Sequence, residues 1–166
     1  MQQQPMIEQR AALPYAGIRM QFRLDEFAAA VDTAFPELFG WLAEHGISPA
    51  GPPFIRYYVI DMPARLDVEF GIPVLAAAQG DDRVRSGVLP VGRYVTLRHA
   101  GPYDGLIASN AALQDWAQDR GITFGSRDTE LGEAWHCRVE HYLTDPSAEP
   151  DPAKWQVDVA YLASER

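Results

Sequence analysis

The sequence predicts an α+β domain made of two similar βαββ halves with pseudo-twofold symmetry, antiparallel strands, helices on one side and a ligand cleft between the halves. Residues 38–47 are similar to residues 113–122, and at the same offset residues 17–22 are similar to residues 92–97. Each half also shows the same order of patterns: extended, helical, extended, extended. The duplicated unit is too long, and repeated too few times, for a solenoid.

In the first half, residues 7–22 are predicted to be extended, with interruptions at Pro14 and Gly17. Residues 24–45 have a helical pattern, but Pro36 is expected to divide it into two helices, and Gly46 is expected to end the second. The stretches 54–61 and 66–74 alternate as strands, joined by a tight turn at residues 62–64.

In the second half, residues 88–99 are predicted to be extended, and residues 103–120 to form a helix that ends before Gly121. Residues 124–134 are expected to form a loop. Strands are predicted at 135–143 and 155–162, separated by a loop rich in proline and acidic residues.

The composition indicates one globular domain over residues 1–166, with halves at 5–77 and 86–163 and a linker at 78–85. The chain shows no membrane-spanning apolar run, no secretory leader and one cysteine, Cys137, which together favour a cytoplasmic protein. A net charge of −9 argues against a direct nucleic-acid partner, because phosphate neutralisation requires a basic face. The same charge favours neutral or cationic ligands.

Strand alternation assigns side chains to faces. In the stretch 135–143, Trp135, Cys137 and Val139 are predicted to lie on the apolar face under the helices. The opposite face is predicted to meet its counterpart around the pseudo-twofold axis. That inner face would carry acidic and aromatic side chains with one base: Glu140, Asp158, Glu69, Arg56, Tyr58 and Tyr142. Such a combination suits an aromatic or cationic ligand.

Three segments resemble a known family. LPVGRYVTLRHAGPYDGL at 89–106, RVEHYLTDP at 138–146 and KWQVDV at 154–159 are similar to the second half of the GyrI-like small-molecule-binding domains. These domains also form the effector-binding part of AraC-type and MerR-type multidrug regulators. The resemblance covers the chain from about Pro5 to Leu162. Since no DNA-binding segment precedes Pro5, it suggests a stand-alone member.

The resemblance implies a fold of two βαββ halves and a bulky, often aromatic and cationic ligand bound between them. The ligand would contact a glutamate on the next-to-last strand, which corresponds to Glu140, while the acid of the last strand is the shorter Asp158. Together with alternation, it predicts nine ligand-binding residues: Glu140, Tyr142, Tyr58, Arg56, Phe54, Arg138, Asp158, Glu69 and Tyr103. An alternative role for Glu140 is an ion pair with Arg56 or Arg138.

The favoured function is a small-molecule-binding protein that acts by sequestration or sensing, without cofactor, metal or membrane partner. The histidines and Cys137 show no metal-ligand spacing, and no serine lies in a nucleophile motif. A first alternative is a hydrolase of cyclopropane-bearing DNA-alkylating natural products, using Glu140, Tyr142 and Tyr58. A second, less favoured alternative is interaction with DNA gyrase through the acidic surface.

Overall fold

The computed structural model describes residues 4–61 and 64–164. Within them, ten strands form one antiparallel sheet, and two α-helices lie against it. The strands are β1 (Met6–Arg10), β2 (Leu13–Phe22), β3 (Phe54–Asp61), β4 (Arg65–Pro73), β5 (Arg85–Leu89), β6 (Gly92–Ala100), β7 (Ser126–Thr129), β8 (Gly132–Trp135), β9 (Arg138–Tyr142) and β10 (Gln156–Leu162). The helices are α1 (Phe27–Glu44) and α2 (Leu106–Asp119). Neither of these described helices is both long enough and apolar enough to cross a membrane.

The sheet curls because its two ends are joined along the chain. The strand order is β1-β6-β10-β9-β3-β4-β2-β5, with β8 pairing to β3 and β7 to β8. The ladder between β1 and β6 stops at Arg10 and Gly92, and the ladder between β2 and β5 resumes in the same register at Leu13 and Leu89. One long antiparallel pair, interrupted for two residues on each strand, therefore links both ends of the sheet.

Both helices cover the same side of the sheet, which we call the helix face. Helix α1 packs on β2 and β4 through Leu38, Trp41 and Leu42. Helix α2 packs on β6 and β10 through Leu113 and Ala117. The predicted α+β class, antiparallel strands and one-sided helices are confirmed.

The opposite side, the inner face, encloses a separate apolar cluster. Its members come from strands at both ends and in the middle of the sheet, as a curled sheet requires: Tyr15, Phe54, Leu89, Tyr94, Cys137, Val139 and Ala160. Cys137 and Val139 therefore do not lie under the helices as predicted, whereas Trp135 does. The reason is that the predicted strand at 135–143 is broken between Trp135 and Arg138, which resets the alternation.

Helix α1 runs unbroken through Pro36, so the prediction of two helices is wrong. A proline costs a helix one hydrogen bond, but the turn that loses it is exposed, since Asp32 and Pro36 both face solvent. The buried residues Ala34 and Leu38 continue the apolar stripe past the proline. Both predicted glycine stops are confirmed: Gly46 and Gly121 adopt the left-handed conformation, with φ of 66° and 70°.

Other boundaries differ locally. The predicted loop at 124–134 contains the hairpin of β7 and β8, and β8 extends the sheet beside β3. The four residues of β7 are polar and exposed, so they lack the apolar signal of a buried strand. The extended segment 7–22 is interrupted at residues 11–12 instead of at Pro14 and Gly17. The predicted turn at 62–64 lies largely outside the described residues.

We expect acid to destabilise the fold through His141. Burial, opposed by the charge of Asp158 and aided by Arg10, lowers the pKa of His141 from 6.5 to about 4. Between these values the unfolded chain binds a proton that the folded chain does not, so stability falls as the pH is lowered from 6.5 towards 4, by about 3 kcal/mol in all. Urea unfolding across this range should show a shallower decline for His141→Gln than for the parent. The control is His136→Gln, which alters an exposed histidine. If it made the decline in stability with pH as shallow as His141→Gln does, the decline would not be due to His141.

Candidate ligand-binding site

One row of side chains crosses six strands beneath the two helices. Cross-strand partners share a face, so the pairings place these side chains in line: Ile18, Phe70, Ile55, Glu140, Val159 and Leu97. Glu140 is the one polar residue in this row, and only 6% of it is exposed. A carboxylate buried among aliphatic and aromatic groups is costly unless it is well hydrogen-bonded.

Three neutral donors satisfy the Glu140 carboxylate. The hydroxyls of Tyr57 and Tyr142 donate to Oε1 over 2.8 and 2.7 Å, and the side-chain amide of Asn110 donates to Oε2 over 3.0 Å. Tyr57 lies on β3, Tyr142 on β9 and Asn110 on α2. Within the described residues Glu140 forms no ion pair, so the alternative of a pair with Arg56 or Arg138 is not found.

Asn110 connects Glu140 to a second polar group. Its side-chain oxygen accepts from the Tyr161 hydroxyl at 2.6 Å and from the Arg138 guanidinium at 3.4 Å. The guanidinium carbon of Arg138 lies 4.8 Å from the centre of the Trp135 ring and 4.9 Å from that of Tyr161. Arg138 is thus near Glu140 but separated from it by an amide and held against aromatic rings.

The site lies where the two helix-face cores meet. Tyr142 and Ile60 are half-buried and pack against the core clusters of both α1 and α2. Tyr103, at the turn before α2, contacts the Tyr142 ring edge-on at 5.7 Å between ring centres and the Trp155 ring at 4.8 Å. We call Ile55, Tyr57, Ile60, Glu140 and Tyr142 the central seam.

A β-bulge in β3 shapes this seam. The pairing of β3 with β4 shifts between Tyr57 and Val59, which makes Tyr58 an extra residue. Beyond the bulge Ile60 pairs with Leu66 and packs on the helix face, whereas unbroken alternation predicts the other face. The bulge therefore gives the seam an apolar residue and directs Tyr58 towards the inner face.

The prediction that six acidic, basic and aromatic side chains share one face is wrong. Glu140 and Tyr142 lie on the helix face. Phe54 pairs with His141 and Arg56 with Val139, which places Arg56 and the other predicted residues of that strand on the opposite, inner face. The register explains the error, because Glu140 is opposite Ile55, which the sequence cannot show. Of the nine predicted residues, Glu140, Tyr142, Arg138 and Tyr103 gather at the seam, and five lie on the inner face: Tyr58, Arg56, Phe54, Asp158 and Glu69.

The inner face has its own buried carboxylate, Glu69. It accepts hydrogen bonds from the hydroxyls of Tyr15 and Tyr58, over 2.5 and 2.8 Å. The guanidinium groups of Arg19 and Arg56 lie over the Tyr58 ring, at 4.0 and 4.8 Å from its centre. Arg56 also donates to the Tyr15 hydroxyl. This cluster fills the end of the inner core with mutually satisfied polar groups.

The remaining predicted residues of the inner face are also paired. Asp158 forms a 2.7 Å ion pair with Arg10 of β1, which ties the N-terminal strand to β10. Phe54 is fully buried, with its ring edge-on to Tyr15. Both residues therefore have structural partners on the side of the sheet away from Glu140.

The tyrosines around Glu140 keep their protons. Burial, followed by the charge of Glu140, raises the pKa of Tyr57 and of Tyr142 well above the usual value near 10. Burial also raises the pKa of Tyr161 to about 12. These hydroxyls can therefore act as donors to the carboxylate and to Asn110 at any ordinary pH.

Sequence reasoning missed Tyr57 and Asn110. Alternation within β3 alone does not bring Tyr57 to Glu140, because the register between β3 and β9 decides which of their side chains share a face. Asn110 had a usable signal: it is a polar residue on the apolar side of α2, between Leu106 and Leu113. A buried asparagine requires partners for both its amide and its carbonyl, so it indicates a polar group beneath the helix.

Other reactive groups lack the geometry of a site. Among the described residues, no cluster of three His, Cys, Asp or Glu side chains could hold a metal ion. Ser109 and His99 are hydrogen-bonded, but Ser109 is fully buried. Burial raises the pKa of the Cys137 thiol, which disfavours the thiolate. Two surface depressions, of about 390 and 550 Å³, lie beside Asp67 and beside Leu131, and neither includes Glu140.

Comparison with known proteins assigns this architecture to a class of small-molecule binding domains. The family model of the GyrI-like small molecule binding domain matches residues 3–160, so the chain belongs to the GyrI-like family. A comparison with curated proteins finds no match.

Several solved structures share the fold. The EcmrR C-terminal domain has a TM-score of 0.74 at 18% identity, with 98% of both chains covered. EcmrR in a DNA complex has a TM-score of 0.80 at 19% identity; 98% of this chain is covered, and it spans 58% of that one. SAV2435 bound to tetraphenylphosphonium has a TM-score of 0.66 at 10% identity, with 98% of this chain and 94% of that chain covered. A hydrolase from Listeria innocua has a TM-score of 0.65 at 15% identity, with 97% of this chain and 92% of that chain covered.

We expect Tyr142→Phe to lower the free energy of unfolding by about 1.5–3 kcal/mol, because it removes a hydrogen bond to a buried charge. The matched control is Tyr103→Phe. Tyr103 is a neighbouring half-buried tyrosine whose hydroxyl forms no hydrogen bond within the described part of the chain. Urea denaturation of both variants is the measurement. If the two variants lose the same stability, the Tyr142 hydroxyl does not support Glu140.

Proposed function

We propose that the protein binds a hydrophobic or aromatic, cationic small molecule at the central seam, with Glu140 as the counter-charge. The observation that carries this proposal is the single carboxylate in an otherwise apolar row beneath two helices, satisfied by neutral donors only. A buried carboxylate without a cation can gain from one that a ligand supplies. Tyr57, Tyr142 and Tyr103 offer ring faces for the apolar part of the ligand.

Membership in the family supports the proposal, since its name describes small-molecule binding. The neighbour SAV2435, which is bound to tetraphenylphosphonium, provides a suitable probe: a bulky aromatic cation. Within the predicted set, we assign ligand contact to Glu140, Tyr142 and Tyr103. The five residues of the inner face have structural roles.

Ligand entry requires side-chain movement. Glu140 is 6% exposed, and Tyr57, Tyr142 and Ile60 are only half-buried around it. A bulky ligand reaches the carboxylate when these half-buried side chains rotate apart between the helices. Side-chain rearrangement without large backbone motion is common on ligand and partner binding.

We expect Glu140→Gln to weaken binding of tetraphenylphosphonium about ten- to a hundredfold. Two charges about 4 Å apart attract by roughly 4 kcal/mol at an effective dielectric of 20, and desolvation removes part of this gain. Tetraphenylborate has the same shape and the opposite charge, so its affinity should stay equal or increase. Tryptophan fluorescence titration measures both affinities.

Glu69→Gln is the matched control, because Glu69 is also buried and also accepts from two tyrosine hydroxyls, but on the inner face. It should leave tetraphenylphosphonium binding unchanged. A loss of affinity in Glu69→Gln, with none in Glu140→Gln, would move the site to the inner face. Absence of binding to the parent protein at millimolar probe would refute a cation site at Glu140.

A second candidate function is hydrolysis of cyclopropane-bearing DNA-alkylating compounds. Glu140 between two protonated tyrosine hydroxyls could accept a proton from water while a hydroxyl polarises a substrate carbonyl, and a neighbour of the same fold is described as a hydrolase. Tyr58, the third residue first assigned to this role, lies on the inner face.

Mass spectrometry after incubation with such a compound should show a product heavier by one water if the protein is this hydrolase. Glu140→Gln should then lower the rate at least about a hundredfold, the usual range for loss of a general base. Turnover equal to that of the parent would exclude Glu140 from the reaction. A compound that stays unchanged would leave binding as the function.

We further propose a cytoplasmic protein in which the halves 5–77 and 86–163 are duplicated units with pseudo-twofold symmetry. The corresponding glycine stops at Gly46 and Gly121 support the duplication. Sensing and sequestration both follow from binding at the seam. A gyrase interaction stays a prediction from net charge.

A further inference from the structure

We propose that Asn110 is a specificity-determining spacer, which holds Arg138 away from Glu140 and so keeps the carboxylate available for a cationic ligand. The proposal rests on the function proposed above, because it concerns the same carboxylate. Asn110 would favour binding of a cationic ligand, and Arg138 would oppose it.

The hydrogen bonds of Asn110 fix its orientation completely. Its amide nitrogen donates to the Leu106 carbonyl at 2.8 Å and to Glu140 at 3.0 Å. Its oxygen accepts from Tyr161 at 2.6 Å and from Arg138 at 3.4 Å. All four hydrogen-bonding positions of the amide are thus used. A flipped amide would set its oxygen against two acceptors, the Leu106 carbonyl and the Glu140 carboxylate, and its nitrogen against the Arg138 guanidinium, which can only donate. The amide presents a donor to the anion and an acceptor to the cation.

Arg138 and Glu140 would otherwise be natural partners. They lie two positions apart on β9, and alternation places both on the helix face. Same-face neighbours at this spacing are about 7 Å apart along a strand, within reach of an arginine side chain. The two groups nevertheless form no ion pair, since Asn110 lies between them and the Trp135 and Tyr161 rings hold the guanidinium.

Loss of the Asn110 side chain would change the charge state of the site. Glu140 Oε2 would lose its donor while Oε1 keeps Tyr57 and Tyr142, and the half-buried Arg138 would lose its acceptor. The two opposite charges then gain by pairing with each other. A ligand cation would then compete with an internal cation for the same carboxylate. Discrimination between cationic and anionic ligands should decrease accordingly.

The experiment compares Asn110→Ala, Arg138→Met and the double variant with tetraphenylphosphonium and tetraphenylborate. Asn110→Ala should weaken binding of the cation about tenfold, and Arg138→Met should strengthen it about three- to tenfold. The double variant should bind the cation at least as tightly as the parent, since no competing guanidinium remains. Tetraphenylborate affinity should not fall in Asn110→Ala.

Gln114→Ala is the control, because Gln114 donates to Tyr161 one turn further along α2 and is not hydrogen-bonded to Glu140 or Arg138. It should leave both affinities within about twofold. Equal losses for both probes in Asn110→Ala, or no recovery in the double variant, would show that Asn110 acts by packing, and would overturn the spacer role.

A ligand-free crystal structure of Asn110→Ala separates this proposal from the proposed function. The spacer role requires the Arg138 guanidinium to move to within 4 Å of Glu140. An unmoved guanidinium overturns it even if the parent binds the cation. An ion pair in the variant supports it even if tetraphenylphosphonium fails to bind the parent, a result that would count against the proposed function alone.

Discussion

The pairing of β3 with β9 is the contact on which the arrangement of the site depends. It joins the part of the sheet covered by α1 to the part covered by α2, and its register sets Ile55 opposite Glu140. A shift of one residue would exchange the faces of every side chain on β9 and place Glu140 in the inner core. The same register brings Tyr57 to Glu140, so the hydrogen bond between the Tyr57 hydroxyl and the carboxylate depends on the backbone pairing of these two strands.

The two buried carboxylates have similar hydrogen-bond donors in different surroundings. Glu69 and Glu140 each accept from two tyrosine hydroxyls, and those of Tyr57 and Tyr58 come from adjacent residues of β3 that point to opposite faces. Glu69 has guanidinium groups close by and is enclosed by the inner core. Glu140 lies where two helix-face cores meet, beneath side chains that are only half-buried. The two carboxylates therefore have similar donors but different surroundings, and the surroundings are the basis on which ligand contact is proposed for Glu140 alone.

Sequence reasoning reached the class of fold, the one-sided helices, both glycine stops and the family, because these depend on local periodicity and on short motifs. Ligand contact at Glu140, which follows from the resemblance more than from the pattern, stays a prediction. Sequence reasoning did not reach the division of the predicted site between two faces. That division depends on the register between β3 and β9, on the bulge at Tyr58 and on the break after Trp135, and each is decided by contacts distant in sequence. Pro36 was misjudged for a related reason: tertiary packing on both sides of it outweighs one lost hydrogen bond.

The long ladder that joins the ends of the sheet also sets the order in which the chain can fold during synthesis. Strands β2, β3 and β4 and helix α1 can associate once the first half has left the ribosome, but β3 then remains an open edge until β9 is made. The inner cluster likewise waits for Tyr94, Val139 and Ala160. Until then the nascent chain displays an unpaired strand beside exposed aromatic side chains, the features that favour aggregation. The second half of the chain thus serves the first by covering this strand edge, because β9 supplies the partner that β3 lacks.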